Sequence, residues 1–265
     1  MRIATWNLNS VTARLPRLLE WLSAASPDVL CVQELKCSSD MFPVAEVSAL
    51  GYEVAAYGTG RWNGVGVLSR VGLDEVRRGL PGEPGYLPEG AMFEVNEPRA
   101  IGVSCAGVRL WSVYVPNGRY VGHPHYDYKL RFLEALRDTV AAERDHGRAF
   151  AVLGDFNIAP ADDDVWDISA FAESTHVTEP ERSALADLRA AGLADVYPRA
   201  LKYDVPFTYW DYRAGAFPKN MGMRIDLAYG DPRFTGAVSD SYVDREARKG
   251  KGASDHAPLV IDLDL

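Results

Sequence analysis

Four short polar segments, each next to an apolar run, hold the residues whose types and spacing could do chemistry: Trp6-Asn7-Leu8-Asn9-Ser10, Gln33-Glu34, Gly154-Asp155-Phe156-Asn157 and Ser254-Asp255-His256. Their donors are oxygens plus one imidazole, and hard oxygen donors suit a magnesium ion. Strand alternation drops Asn7 and Asn9 on one face where the first apolar run ends. Glu34 closes another such run, where a buried carboxylate is costly unless a cation or donor meets it. Magnesium with Asn7 as co-ligand would meet that need, and so would a salt bridge to Lys36 or an arginine. Asp155 and Asn157, two apart behind a glycine, can project the same way, so that one orients or deprotonates water while the other donates to phosphoryl oxygens. An Asx turn would use the same pair. His256 can serve as a base or an electrophilic donor, and Asp255 as a metal ligand. Four such sites behind separate strands point together to metal-assisted hydrolysis at phosphorus.

Positioning these residues requires strands. Apolar runs bounded by turn residues predict strands at residues 3–6, 29–32, 52–57, 65–68, 91–95, 100–105, 110–115, 150–153, 207–209, 225–229 and 259–263. The Ala106-Gly107 turn joins two of them as an antiparallel hairpin. Helical spacing of Leu15, Leu18, Leu19 and Leu22 predicts one helix before Pro27, and Tyr128, Leu130, Leu133, Leu136 and Val140 predict a second before Gly147. A third spans residues 183–191, capped by Ser183 or Thr178 and closed by Gly192. Many strands in both halves of the chain, without a linker or repeat, suggest two packed sheets flanked by helices in one domain, residues 1–265.

Composition narrows the setting. The 265 residues are 47% hydrophobic and 25% charged, enough for a full core. No run reaches the ~18 apolar residues of a membrane span, and Met1 leads directly into the first strand, so a cytoplasmic protein without membrane contact is expected. Cys31, Cys37 and Cys105 form no paired framework and read as reduced thiols. Lys and Arg number 28 against 37 Asp and Glu, a net charge of -9 that argues mildly against nucleic-acid binding through bulk electrostatics. A local basic rim is offered by Arg245, Arg248, Lys249 and Lys251, just ahead of Ser254-Asp255-His256. Gly64-Val65-Gly66 lacks the rest of a dinucleotide loop, and Gly102-Val103-Ser104-Cys105-Ala106 stops one glycine short of a nucleophile elbow. His123-Pro124-His125 has no cysteine partners and reads as surface.

In the order of these motifs and in the residues between them, the chain resembles the exonuclease III family of the endonuclease, exonuclease and phosphatase superfamily. The resemblance spans nearly the whole chain and includes Arg61-Trp62-Asn63-Gly64-Val65, Tyr114-Val115-Pro116-Asn117-Gly118, Tyr128-Lys129-Leu130, Tyr209-Trp210-Asp211-Tyr212-Arg213 and Arg224-Ile225-Asp226. It implies a four-layer α/β sandwich (αββα) with two central mixed sheets and the site at one edge. It also implies a magnesium-dependent DNA repair nuclease, with manganese as a substitute, acting as a monomer on double-stranded DNA. The activity would be 3′-5′ exodeoxyribonuclease, abasic-site endonuclease or both. Glu34 would be the principal metal ligand, helped by Asn7 and Asp255. A second metal would use Asp155, Asn157 and His256. Asp155 would prepare water, Asn157 would donate to the phosphate, Tyr114 would contact it or assist proton movement, and Asp226 would orient His256; either Asp155 or His256 would be the base. Trp210 would line a pocket for an extruded abasic sugar, and Asn9, Arg119, Lys219 and Asn220 would contact DNA. A phosphatase or lipid phosphodiesterase of the same superfamily would share the core residues. A catalytically inactive DNA-binding relative is the rival of another class, disfavoured because every expected catalytic position is filled.

Overall fold

The computed structural model describes residues 1–144 and 147–265. In chain order its strands are β1 Arg2–Asn7, β2 Val29–Gln33, β3 Glu53–Tyr57, β4 Val65–Ser69, β5 Asp74–Arg78, β6 Ala100–Cys105, β7 Val108–Tyr114, β8 Phe150–Asp155, β9 Ala194–Asp195, β10 Asp226–Gly230, β11 Val238–Val243 and β12 Leu259–Leu263. The helices are α1 Val11–Ala25, α2 Val44–Ser48, α3 Pro124–Glu143, α4 Glu179–Ala190 and α5 Pro232–Gly236. Two six-stranded sheets result, ordered β11-β12-β1-β2-β4-β3 and β5-β6-β7-β8-β10-β9. Each is mixed, with one parallel pair at its centre, β1 with β2 and β7 with β8.

Central strands of both sheets are buried on both faces, which is why their sequences are continuous apolar runs rather than alternating ones. One face of each meets the other sheet: Ile3, Cys31, Val67, Val103, Leu110 and Leu153 share this middle layer. The opposite face of the first sheet carries Ala4, Leu30 and Val32 under Leu18 and Leu22 of α1. The second sheet's outer face packs Trp111, Val152 and Leu227 against Leu133 and Leu136 of α3 and Leu185 of α4. Helix, sheet, sheet, helix is therefore the order of layers. A polar link crosses the middle layer, where Gln33 Nε2 donates to Ser112 Oγ at 3.0 Å and to Thr5 Oγ1 at 2.9 Å. No helix among the described residues is long and apolar enough to cross a membrane.

Most predicted elements occur. Residues 106–107 make the hairpin turn with φ 46° and 83°, and Thr178 rather than Ser183 caps α4, in a box with Glu181. Two predicted strands do not form. Residues 91–95 are an exposed loop held by one bridge, Tyr86 to Val95, because no neighbouring strand is there to cover its apolar side chains. Residues 207–209 bridge singly to Met223 and His256 instead of joining a ladder. Conversely β5 was invisible in the sequence, since Asp-Glu-Val-Arg-Arg is exposed throughout and becomes a strand only by pairing with β6.

Gly154 decides how closely β7 and β8 approach. Its φ is 152°, and a Cβ there would sit 1.9 Å from the Val113 carbonyl oxygen across the parallel pair. The same approach sets Tyr114 beside Asp155 in register. Gly154→Ala is therefore expected to destabilise the fold by about 2–5 kcal/mol, combining overpacking with a backbone conformation that L residues avoid. Urea unfolding checks this, and a loss under about 1 kcal/mol would mean the strands can part cheaply.

Candidate active site

Strand direction explains why distant polar segments meet. Asn7 ends β1 and Glu34 follows the carboxyl end of its parallel neighbour β2, and Asp155 ends β8, parallel to β7. Antiparallel β10 begins at Asp226, directly opposite Asp155, and antiparallel β12 is entered through His256. Carboxyl ends of some strands thus coincide with amino ends of others at one edge.

Asn7 joins the two sheets there. It is fully buried, and its Nδ2 donates to Glu34 Oε1 at 2.9 Å and to Asp155 Oδ2 at 2.8 Å. Asp226 Oδ2 lies 2.7 Å from His256 Nδ1, and His256 Nε2 faces Asp155 Oδ2 at 3.9 Å. Behind Asp226, the fully buried Thr208 Oγ1 accepts the backbone N–H groups of Ile225 and Asp226 at 3.1 and 3.0 Å. Ser254 Oγ donates to the Asn7 carbonyl at 2.7 Å and accepts the His256 N–H, so the histidine is tied to β1 as well. Asn157 presents its amide between Val115 and Asn117: Nδ2 donates to the Val115 carbonyl at 3.0 Å, and Oδ1 accepts from Asn117 Nδ2 at 3.2 Å. Tyr114 is half-buried, with the Arg99 guanidinium 4.8 Å from its ring centre.

A salt bridge at Glu34 and an Asx turn at Asp155 are both present. Lys36 Nζ lies 2.8 Å from Glu34 Oε2, and the Asn157 N–H donates to Asp155 Oδ1 at 2.9 Å, an Asx turn. Asn9, Glu34, Lys36 and Asn157 all take left-handed φ values, 49°, 52°, 52° and 50°. Such conformations cost about 1 kcal/mol or more each in L residues, so strain is concentrated at this edge.

Charge crowding sets the titration. Burial, then the Asp226 and Glu34 carboxylates, push Asp155 up to about 7 against the pull of His256 and Asn7. Burial would lower His256, but Asp226 and Asp155 outweigh it and raise the imidazole to about 10. Glu34 is likewise opposed by burial, yet Lys36 and the Asn7 amide hold it below the usual carboxylate range. Burial and the neighbouring Glu34 keep the Tyr114 phenol protonated well above its ordinary pKa.

Donor atoms of Glu34, Asp155 and His256 lie within 4.8 Å of one another, the one such group among the described residues. Asp255 is outside it, and its Oδ1 accepts from Asn9 Nδ2 at 3.0 Å. Arg119 is exposed, one residue beyond Gly118, and Lys219 is exposed with Asn220 beside it. Trp210, expected to line the pocket, is 1% exposed in the middle layer, its N–H donating to Asn220 Oδ1 at 3.2 Å, and it is not among the residues lining the cavity beside His256. Adjacent residues of an extended segment face opposite ways, and the larger indole took the core side. Tyr209 faces out instead, its ring 4.9 Å from the His256 ring, into a cavity of about 260 Å³ lined with Trp166, Phe171, Met221 and Met223. Period-two alternation around residue 209 was the signal that could have found it. The basic rim is also smaller than the sequence suggested. Arg245 and Arg248 turn inward over Phe217, with Cζ 3.9 and 5.0 Å from the ring centre, leaving Lys249 and Lys251 exposed. His123 caps α3 and His125 Nδ1 accepts the Gly118 N–H, both structural.

Residues 4–256 match the model of the Endonuclease/Exonuclease/phosphatase family. An exodeoxyribonuclease of Bacillus subtilis is 26% identical over 271 residues, all of both chains. Among solved structures, a 3′ phosphatase from Neisseria bound to a product DNA hairpin superposes with a TM-score of 0.92 at 34% identity, and an AP endonuclease from Archaeoglobus fulgidus with 0.90 at 31%, each covering 100% of both chains.

The raised His256 pKa has a stability consequence in the metal-free protein. Because the folded value lies above the unfolded value of about 6.5, the pair with Asp226 stabilises fully below that pH and loses its contribution as pH rises through about 10. Asp226→Asn is expected to bring the imidazole midpoint down by at least about two units, followed by nitrogen-detected NMR of His256. An unmoved midpoint would show that Asp226 does not set it.

Proposed function

The chain belongs to the endonuclease/exonuclease/phosphatase family, and on that premise we propose that it is a magnesium-dependent DNA repair nuclease hydrolysing phosphodiester bonds of double-stranded DNA at abasic sites, at 3′ ends, or both. The observation that carries this reading is the Glu34, Asp155 and His256 donor group, bridged by Asn7 and bordered by the Tyr209 cavity.

Hard oxygens with a single imidazole fit magnesium, with manganese as a substitute, and Glu34 assisted by Asn7 would hold the ion. Asp255 would act through water or through Asn9; Asp155, Asn157 and His256 would serve a second ion. When bound, the cation supplies positive charge against the three converging carboxylates and polarises a phosphoryl oxygen. The residues do the rest. Asp155, lifted toward neutrality, is suited to take the proton of the attacking water, while the charged His256 faces the negative charge that develops on phosphorus. Asn157 retains one amide hydrogen to donate to a phosphoryl oxygen, and the neutral Tyr114 phenol can donate to another. Water bonds to phosphorus as its proton passes to Asp155, the bond to the 3′ oxygen breaks, and that oxygen takes up a proton from solvent to leave as the 3′ hydroxyl. An extruded sugar or a 3′-terminal nucleotide would enter the cavity beside Tyr209. Arg119, Asn9, Lys219 and Asn220 would contact the duplex.

Labelled duplexes carrying an abasic site, a plain 3′ end or a 3′ phosphate, assayed with magnesium and with chelator, test the reading. Magnesium-dependent cleavage of at least one is expected, with Glu34→Ala lowering it by at least about 10²-fold. Hydrolysis of a phosphoinositide without DNA cleavage would favour the lipid phosphodiesterase. The cavity assignment makes a separate contrast. Tyr209→Ala should lower kcat/KM about tenfold or more with little loss of stability, whereas Trp210→Ala should cost about 3–5 kcal/mol in folding. The reverse pattern would restore Trp210 to the pocket.

A further inference from the structure

Lys129, on α3, is fully buried, and no hydrogen bond joins it to the side-chain groups of the site named above. Its ammonium contacts Glu181, also fully buried, and donates to the Asn157 carbonyl at 2.7 Å, to Thr175 Oγ1 at 3.3 Å and to the Asn117 carbonyl at 3.4 Å. Glu181 in turn accepts the Thr175 hydroxyl at 2.6 Å, the His176 N–H at 2.9 Å, and the Thr178 N–H and hydroxyl at 3.0 and 2.7 Å. A Cβ on Gly118 would come within 2.8 Å of Thr175 Oγ1 and 3.3 Å of Lys129 Cδ, so three loops close tightly on this pair.

Burying an ammonium is expensive, and Glu181 alone would neutralise it. Of the remaining donors one goes to the Asn157 carbonyl and the other is shared by Thr175 Oγ1 and the Asn117 carbonyl, and Asn117 and Asn157 are the two residues whose amides bond to each other at the site's edge. Asn157 is in the left-handed region, and a conformation of that kind persists only where its surroundings determine it. Lys129 grips the carbonyl of this strained residue, while Asp155 Oδ1 accepts its N–H.

We propose that the buried Lys129–Glu181 pair is a positioning unit that holds the Asn157 backbone, and through it aims the Asn157 amide at the phosphoryl group. The proposal rests on Asn157 as phosphoryl donor in the reading above. A pair serving stability alone would leave Asn157 in place once the fold is restored.

The test uses Lys129→Met/Glu181→Leu, which removes both charges together so that neither is left unpaired. In the parent background kcat on the best DNA substrate should fall about 10–100-fold with KM within about threefold, the signature of misplacement rather than lost binding. In an Asn157→Ala background the same double change should cost less than about twofold, because residues acting through one another are non-additive. Full additivity, or an unchanged kcat in a folded double variant, overturns the proposal. A readout independent of activity keeps it separate from the nuclease reading: the Asn157 side-chain amide cross-peaks, identified by their loss in Asn157→Ala, should shift in the double variant of the metal-free protein. Unmoved cross-peaks also overturn it, while an inactive parent with shifted cross-peaks would count only against the nuclease reading. Glu181→Gln, which leaves Lys129 in place, should give the same shift at smaller amplitude and serves if the double variant does not fold.

Discussion

Three buried or half-buried carboxylates converge at one edge of this molecule, and the rest of the site is built to make that tolerable. Asp155 and Asp226 stand directly opposite each other on antiparallel strands, a placement that like charges disfavour, and Glu34 approaches from the other sheet. Compensation comes from both sides. Asn7 donates to two of the carboxylates with one amide, His256 sits between the other pairing, and Lys36 meets Glu34. The residual negative charge is what a metal ion held by this group would offset, and it also keeps one carboxyl near neutrality and the imidazole charged.

Such crowding is held only because the scaffold beneath is stiff. Gly154 lets β7 and β8 close, Thr208 fixes the start of β10, and Gln33 and Ser112 link the sheets through the middle layer. Around the site, left-handed residues mark where backbone leaves sheet to aim a side chain. The Lys129–Glu181 pair belongs to the same logic, a buried polar cluster that ties loops whose backbone would otherwise relax.

The surface near the site is less basic than a nucleic-acid enzyme's charge pattern would suggest. Arg245 and Arg248 spend their charge over aromatic rings, and the overall charge is -9. Recognition of a duplex would then lean on the few exposed cations, on the aromatic and methionine lining beside Tyr209, and on the metal, rather than on a broad electrostatic field.

Composition and motif order in the sequence were enough to determine the layered architecture, the strand ends that carry Asn7, Glu34, Asp155, Asn157 and His256, and the hard-donor character of the site. Those features are local: an apolar run reads as a buried strand, and a polar residue at its end reads as chemistry. Tertiary structure alone decided whatever depends on a partner distant in the chain. It turned Trp210 inward and Tyr209 outward, folded two arginines of the apparent rim into an aromatic cage, made a strand of the fully exposed residues of β5, and denied one to residues 91–95. It also brought Lys129 and Glu181 together across 52 positions. The physical reason is common to all of these: burial and pairing are set by what lies across the fold, and a side chain's own type does not say which neighbour will be there.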